Sequence, residues 1–258
     1  MPSEFDDDTA LEQRDGTWHG CVTGRWHIIR GPNGGYVASF PLRAMANEAP
    51  FPDPLTMTTH FMRSPTPGPV QVTVETLRTG RSHATLEARM TQDGLVAIAL
   101  ATFGTFDEAG TESIQRDMPQ AAPPDESAPL LGGPHEGMTI RDRLDQRIPS
   151  DWPIPGEGGK PVVGGWCRLP DRALDALAVP LFMDTWPPAM FNAVAGSSVP
   201  TLELTIHWRS RPHTNWHLAR FRSLALSHGY VDEEGELWGE DGRLVAQSRQ
   251  LALFIPPP

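Results

Sequence analysis

Asp184 is the acid whose surroundings could make it reactive: Leu181, Phe182 and Met183 precede it, and Trp186, Pro187 and Pro188 follow. A carboxyl in such an apolar setting loses hydration, and its pKa rises toward the range in which it can take a proton from water. By helix chemistry alone, however, Asp184 reads equally well as an N-cap or a surface acid. Gly34 and Gly35 form a second candidate. They follow the turn signal Gly31-Pro32-Asn33, and a helix starting there would present unpaired backbone N–H groups whose dipole favours negative charge. Glycine at that place lets a ligand carbonyl approach the backbone, although a Gly-Gly pair is also an ordinary turn.

Other chemistries lack their parts. Cys21 and Cys167 are too few for a disulfide scaffold or a cysteine-based zinc site. None of the histidines forms the helix-spaced pair with a Glu that a zinc-protease helix requires. His213 and His217 are four apart but straddle an apparent turn and strand start, while His60 and His207 read as repeated strand residues. No Gly-x-Ser-x-Gly elbow supports a serine hydrolase. The expectation is a site without metal or redox cofactor.

The elements that must position these residues come in two series. Tyr36 to Met45 reads as a buried helix with a bend or late start at Pro41. Strands follow at Thr56 to Met62, Val70 to Thr76, Ala84 to Met90 and Val96 to Phe106, separated by Pro-Gly, Thr-Gly and Asp-Gly turns. From about 107 to 137 the chain turns to Pro, Ala, Gly, Ser and acids, a composition that builds no sheet or helix interior and reads as a linker. Strand-like Thr139 to Ile148 and Val162 to Arg168 come next, then an apolar stretch from about Asp171 to Val194 that can supply a helix. Strands close the series at Leu202 to Trp208, His217 to Leu226, Tyr230 to Trp238 and Leu244 to Phe254.

Landmarks recur at a near-constant offset. Thr58, His60 and Pro65 stand against Thr205, His207 and Pro212 at 147 residues, and Asp93-Gly94 against Asp241-Gly242 at 148. The period is about one small domain, so duplication accounts for the matched order of elements. The division expected is 1 to 106 for the first domain, 107 to 137 for the Pro-rich linker and 138 to 258 for the second domain.

Composition sets the outer bounds. With 39% hydrophobic and 21% charged residues the chain can bury a substantial core. A formal net charge of −11 disfavours nucleic acid as a partner, while leaving room for a local pocket for an anion. No apolar run approaches the roughly 20 residues of a membrane span. The acidic start, Asp6-Asp7-Asp8, lacks the basic and apolar regions of a signal peptide. A cytoplasmic location is the expectation.

At this point three groups of residues become specific. They are Asn33-Gly34-Gly35-Tyr36, His60-Phe61-Met62-Arg63 with Val74 to Ser82, and, in the second half, Leu181 to Pro188, Pro200 to Thr205 and Leu244 to Gln250. Together, from about Gly24 to Phe254 outside the linker, the chain resembles the acyl-CoA thioesterase II, or double-hotdog thioesterase, family. The resemblance implies an α+β fold of two tandem hotdogs, each a long central helix wrapped by an antiparallel β-sheet. It implies hydrolysis of an acyl-CoA thioester by water held by an Asp, a Thr and a Gln, here Asp184, Thr201 and Gln250. Thr205 and Gln247 remain the alternatives for the last two.

On the same resemblance, Gly34 and Gly35 are substrate-binding residues that would face the thioester oxygen. Arg78 and Arg81 would meet the CoA phosphates, or else are simply solvated. The partner is the acyl-CoA substrate, and a homo-oligomer of double-hotdog chains is expected. A non-catalytic acyl-CoA or acyl-carrier-protein binding protein is one rival. An enoyl-thioester hydratase is another, and it needs a His and acid pair that the sequence does not place. The first half carries Ala101 opposite Gln250 at an offset of 149 and no acid opposite Asp184, so one working site per chain is expected.

Overall fold

The computed structural model describes residues 3–107, 114–130 and 137–257. The first half opens with a one-turn helix α1 (Glu4–Asp8) and the strands β1 (Glu12–Arg14) and β2 (Thr17–Val22). The small hairpin β3 (His27–Ile28) and β4 (Gly31–Pro32) then leads into the 15-residue helix α2 (Gly34–Glu48). Asn33 starts that helix: its side-chain oxygen accepts a bond from the Tyr36 N–H at 2.9 Å, satisfying one of the unpaired donors at a helix start. The helix runs on through Pro41. It lies along the inner face of four antiparallel strands, β5 (Asp53–Phe61) and then the meander β6 (Gly68–Thr79), β7 (Ala84–Thr91) and β8 (Leu95–Gly104), with β5 pairing beside β8, and it buries Tyr36, Phe40, Leu42 and Met45 in one core with Val72, Leu86, Ala88 and Phe103.

The second half repeats the meander with β12 (Thr201–Trp208), β13 (His217–Arg222), the short β14 (Leu226–Ser227), β15 (Tyr230–Gly239) and β16 (Leu244–Leu253). Three further strands precede it: β9 (Ala128–Pro129), β10 (Asp145–Ile148) and β11 (Val162–Arg168). All pair antiparallel in one sheet of order β1-β2-β6-β7-β8-β5-β12-β16-β15-β13-β11-β10-β9, with β14 on β15.

The halves join edge to edge at β5 and β12, and the register there is self-complementary. Thr58 faces Thr205, its counterpart 147 residues on, and the two hydroxyls lie 2.8 Å apart. Thr56 faces His207 while His60 faces Glu203, each exchange related by the same offset. That is the pairing of an isologous dimer, written into one chain. The duplication extends to irregularities: register shifts fall between Pro54 and Thr56 and again between Thr201 and Glu203. They fall also between Met90 and Thr91, and between Leu237 and Trp238. One hydrophobic core runs through both halves.

Two expectations need correction: Thr139 to Ile148, read as one strand, is a 3-10 turn over Thr139–Arg143 before β10, and the second half has no long central helix. The apolar stretch from Asp171 to Val194 does not form a long helix; it yields α3 (Val179–Phe182), one turn, and a 3-10 turn at Ala189–Asn192. Pro180 is tolerated in a first turn, but Pro187 and Pro188 cannot continue a helix, and the residue before a proline is pushed out of the helical region. The stretch expected to be a linker is, in its described part, fastened to the second half; residues 108–113 and 131–136 lie outside the described residues. Gln115 bonds Gly242 and Leu244, Trp152 donates its indole N–H to Gln120, and Trp166 donates to Ala122. Met118 and Ala121 cover a cluster of Trp166, Trp216 and Trp238 on the outer face of the second half. The prolines keep this strap out of sheet interiors but allow the edge strand β9.

Candidate active site

The start of α2 meets the end of α3 where the two halves join. Contact is close enough to require glycine: a Cβ on Gly35 would lie 2.0 Å from the Pro180 carbonyl oxygen, and one on Gly34 would lie 2.9 Å from Oδ2 of Asp184. Into this junction α3 delivers Asp184, two residues beyond its last helical residue. Oδ2 accepts bonds from the Gly35 N–H and from Nδ2 of Asn33, both at 3.0 Å, and Nδ2 also donates to the Asp184 carbonyl at 2.6 Å. An acid of the second half is thus seated on the positive end of the first half's helix.

Electrostatics at Asp184 are a contest. Burial pushes its pKa up, the Gly35 and Gly34 amides pull it down, and the balance is a rise from 3.8 to about 6. The residue is half-buried and keeps some contact with solvent. A carboxylate so poised is ionised at neutral pH yet basic enough to accept a proton.

Thr201 and Gln250 meet on neighbouring strands, the Thr201 hydroxyl donating to Oε1 of Gln250 at 3.4 Å. The alternatives go elsewhere. Thr205 is engaged at the seam with Thr58 and donates to Glu203, while Gln247 accepts from Arg209 and opens onto the outer face of the sheet beside Arg220 and Arg222.

Glu233 on β15 joins the two groups of residues, and the sequence reading passed over it. Its Oε1 accepts from Nε2 of Gln250 at 3.0 Å, and its Oε2 accepts from the Ala189 N–H at 2.6 Å. Burial raises its pKa from 4.5 to about 7; the Ala189 amide opposes this and the charge of Asp184 adds to it. Asn33 reads from the sequence as part of a turn and of the string Asn33-Gly34-Gly35-Tyr36, with no role of its own. A strand alternation placing one member of the acidic run Asp232-Glu233-Glu234 inward could have flagged Glu233, and the capping spacing from Asn33 to Tyr36 could have flagged Asn33.

Not every expected residue gathers here. The Gly34 and Gly35 amides, read as donors to a substrate oxygen, are instead directed at the Asp184 carboxylate. Arg78 near the end of β6 and Arg81 in the following turn are exposed, and β7, β8 and β5 stand between their strand and the seam in sheet order.

The architecture, two meanders sharing one sheet with a helix of one half capping an acid of the other, is that of a double hotdog. Residues 22–104 match the model of the acyl-CoA thioesterase N-terminal domain and residues 117–254 that of the acyl-CoA thioesterase C-terminal domain, and the chain belongs to this family. Among solved structures it is similar to a protein of unknown function with a hot dog fold from Alicyclobacillus acidocaldarius, 28% identical over the whole of both chains with a TM-score of 0.89. A candidate thioesterase II from Thermobifida fusca is 26% identical over 97% of each chain, with a TM-score of 0.88. An acyl-CoA thioesterase II from Mycobacterium marinum shares the fold at 22% identity over 98% of each chain, with a TM-score of 0.73. An uncharacterised protein of Mycobacterium tuberculosis, Rv0499, is 26% identical over 81% of this chain and 78% of its own. Among the described residues no helix is long and apolar enough to cross a membrane.

Proposed function

We propose that this protein hydrolyses an acyl-CoA thioester to CoA and a carboxylic acid. The observation that carries the reading is Asp184, a half-buried acid with a pKa of about 6 held at the junction of the two halves by Asn33 and Gly35, with Glu233, on which its charge acts, bonded to Gln250 of the pair Thr201 and Gln250. In the reaction, Asp184 takes a proton from water as the water oxygen attacks the thioester carbonyl. The tetrahedral intermediate then expels the CoA thiolate, and the proton held by Asp184 passes to that sulfur. Thr201 and Gln250 orient the water, so their contribution is made mainly in the transition state. The Gly34 and Gly35 amides act in this scheme by seating the base, rather than by meeting the substrate oxygen directly.

Family membership supports the substrate class, since both domain models are those of acyl-CoA thioesterases. The decisive measurement is free-thiol release across a panel of acyl-CoAs from short to long chains. Saturable hydrolysis of at least one substrate, lost in Asp184→Asn, is the expected outcome. Absence of thiol release across the whole panel would leave a non-catalytic binder of acyl thioesters.

A further inference from the structure

Glu233 occupies a position where the fold itself has no use for a carboxylate. In the second half Glu233 pairs with Gln250, which pairs on its other side with Leu204. In the first half the matching three are Leu86, Ala101 and Met57, with the same pairings. All three are buried apolar residues. The duplicated scaffold is therefore stable with leucine at this site, and a buried acid there costs stability through lost hydration. A residue retained at such cost, next to the proposed base, has a role to account for.

Its bonds define that role. Ala189 begins the 3-10 turn that follows Asp184 through Thr185, Trp186 and the two prolines, so Glu233 ties the segment bearing the base to the sheet. The other carboxylate oxygen takes the amide N–H of Gln250, which leaves the Gln250 carbonyl facing Thr201. Without an acceptor at 233 an amide can turn end for end at little cost.

We propose that Glu233 is a positioning residue of the water site: it fixes the orientation of Gln250 against Thr201 and anchors the segment that carries Asp184. This rests on the thioesterase reading for its kinetic part alone. Of the charged groups around it, Asp184 is the one that acts on Glu233. Its strand neighbours Asp232 and Glu234 turn to the opposite face, where Arg249 and Arg222 bond them. Arg220 on β13 and Arg116 of the strap bond Glu236 on that same outer face. His217, on the inner face of β13, lies opposite Gly239 at the far end of β15 and against Phe182.

The test uses the full chain with Glu233→Leu and Glu233→Gln. Glu233→Leu should fold as stably as the wild type or more so, and lower kcat by up to about 100-fold with little change in KM, the scale of loss for a misplaced reacting group. Glu233→Gln should fall between the two, since its NH2 group donates and cannot replace the second accepting carboxylate oxygen. Crystallography of the variants gives a readout independent of activity: in Glu233→Leu the Gln250 amide should lose its single orientation against Thr201, and the turn at Ala189 should shift from the sheet. Wild-type kcat and pH profile in both Glu233 variants would overturn the inference while leaving the hydrolase reading intact. No hydrolysis by any protein, with Gln250 displaced in Glu233→Leu, would overturn the hydrolase reading instead.

Discussion

Asn33 holds two ends of one junction: its Oδ1 caps helix α2 of the first half and its Nδ2 binds both the carbonyl and the carboxylate of Asp184 in the second. A residue that begins one domain's helix thereby fixes the acid of the other. The site is consequently a property of the paired halves, and substitutions on the first half should be felt in chemistry done by the second.

Asn33→Ala is expected to lose the cap and both Asp184 bonds. Loss of an N-cap costs about 1 kcal/mol, visible as a lower Tm, and kcat should fall as the acid loosens. Asn33→Asp separates the two functions, because aspartate caps well but cannot donate. It also places a second negative charge beside Asp184, which raises the pKa of the base. The acid limb of the rate profile should move to higher pH while Tm at neutral pH changes less than in Asn33→Ala. An unmoved limb would show that the contact does not reach the base.

Gly35→Ala tests the close approach of the two helices. The added Cβ would meet the Pro180 carbonyl group, backbone that has no rotamer to escape into. Overpacking of this kind costs about 1–3 kcal/mol or more. Thermal denaturation should show the loss, and since α2 and α3 must part to make room, kcat should fall with it. An alanine variant of wild-type stability would contradict the packing at this junction.

How much of this was legible beforehand follows from what each residue depends on. The two meanders were readable because Thr79-Gly80, Asp93-Gly94 and Asp241-Gly242 punctuate alternating strands, and alternation survives without knowledge of the partner strand. The helix expected over Asp171 to Val194 was misread because apolar spacing was weighted above Pro187 and Pro188. β1 and β2 went unseen: they are short, and no residue of β1 is buried. The strap looked like a linker since its prolines exclude interiors, and only the tertiary fold reveals the tryptophans it covers. Asp184 stood out by its apolar neighbours, whereas Glu233 was hidden within Asp232-Glu233-Glu234, a run that resembles a solvated face until the register turns its middle member inward.

Stability should depend on pH in the direction set by Asp184 and Glu233, both held above their ordinary pKa. Asp184 binds its proton more tightly in the folded state, at about 6 against 3.8, and Glu233 does so at about 7 against 4.5. Their contribution is fully present below about pH 4 and is lost as the pH rises through 6 to 7, where the folded state must carry buried charges. Asp184→Asn should therefore raise Tm at pH 8 more than at pH 5 while abolishing hydrolysis. On the hydrolase reading, wild-type kcat should decline as the pH falls through about 6, where Asp184 becomes protonated. A Tm gain equal at both pH values would mean that the acid is not held above its ordinary pKa.

The final prediction concerns stoichiometry. Pseudo-symmetry places Pro54 where the second half has Thr201, both just before a register shift, and Ala101 where it has Gln250. Proline has no hydroxyl and alanine no amide, so the first half cannot orient a water in the same way. One non-hydrolysable acyl-CoA analogue should bind per chain in calorimetry. Thr201→Ala and Gln250→Ala should each lower kcat with a smaller effect on KM, by about 10-fold to 1000-fold, the range for removing one positioned hydrogen-bonding group. Thr205→Ala should instead weaken the seam between the halves, because its hydroxyl pairs with Thr58, and leave the chemistry of a folded chain nearly unchanged. Two equivalent analogue sites per chain, with Asp184→Asn removing only half of the activity, would show that the first half retains a competent site of its own.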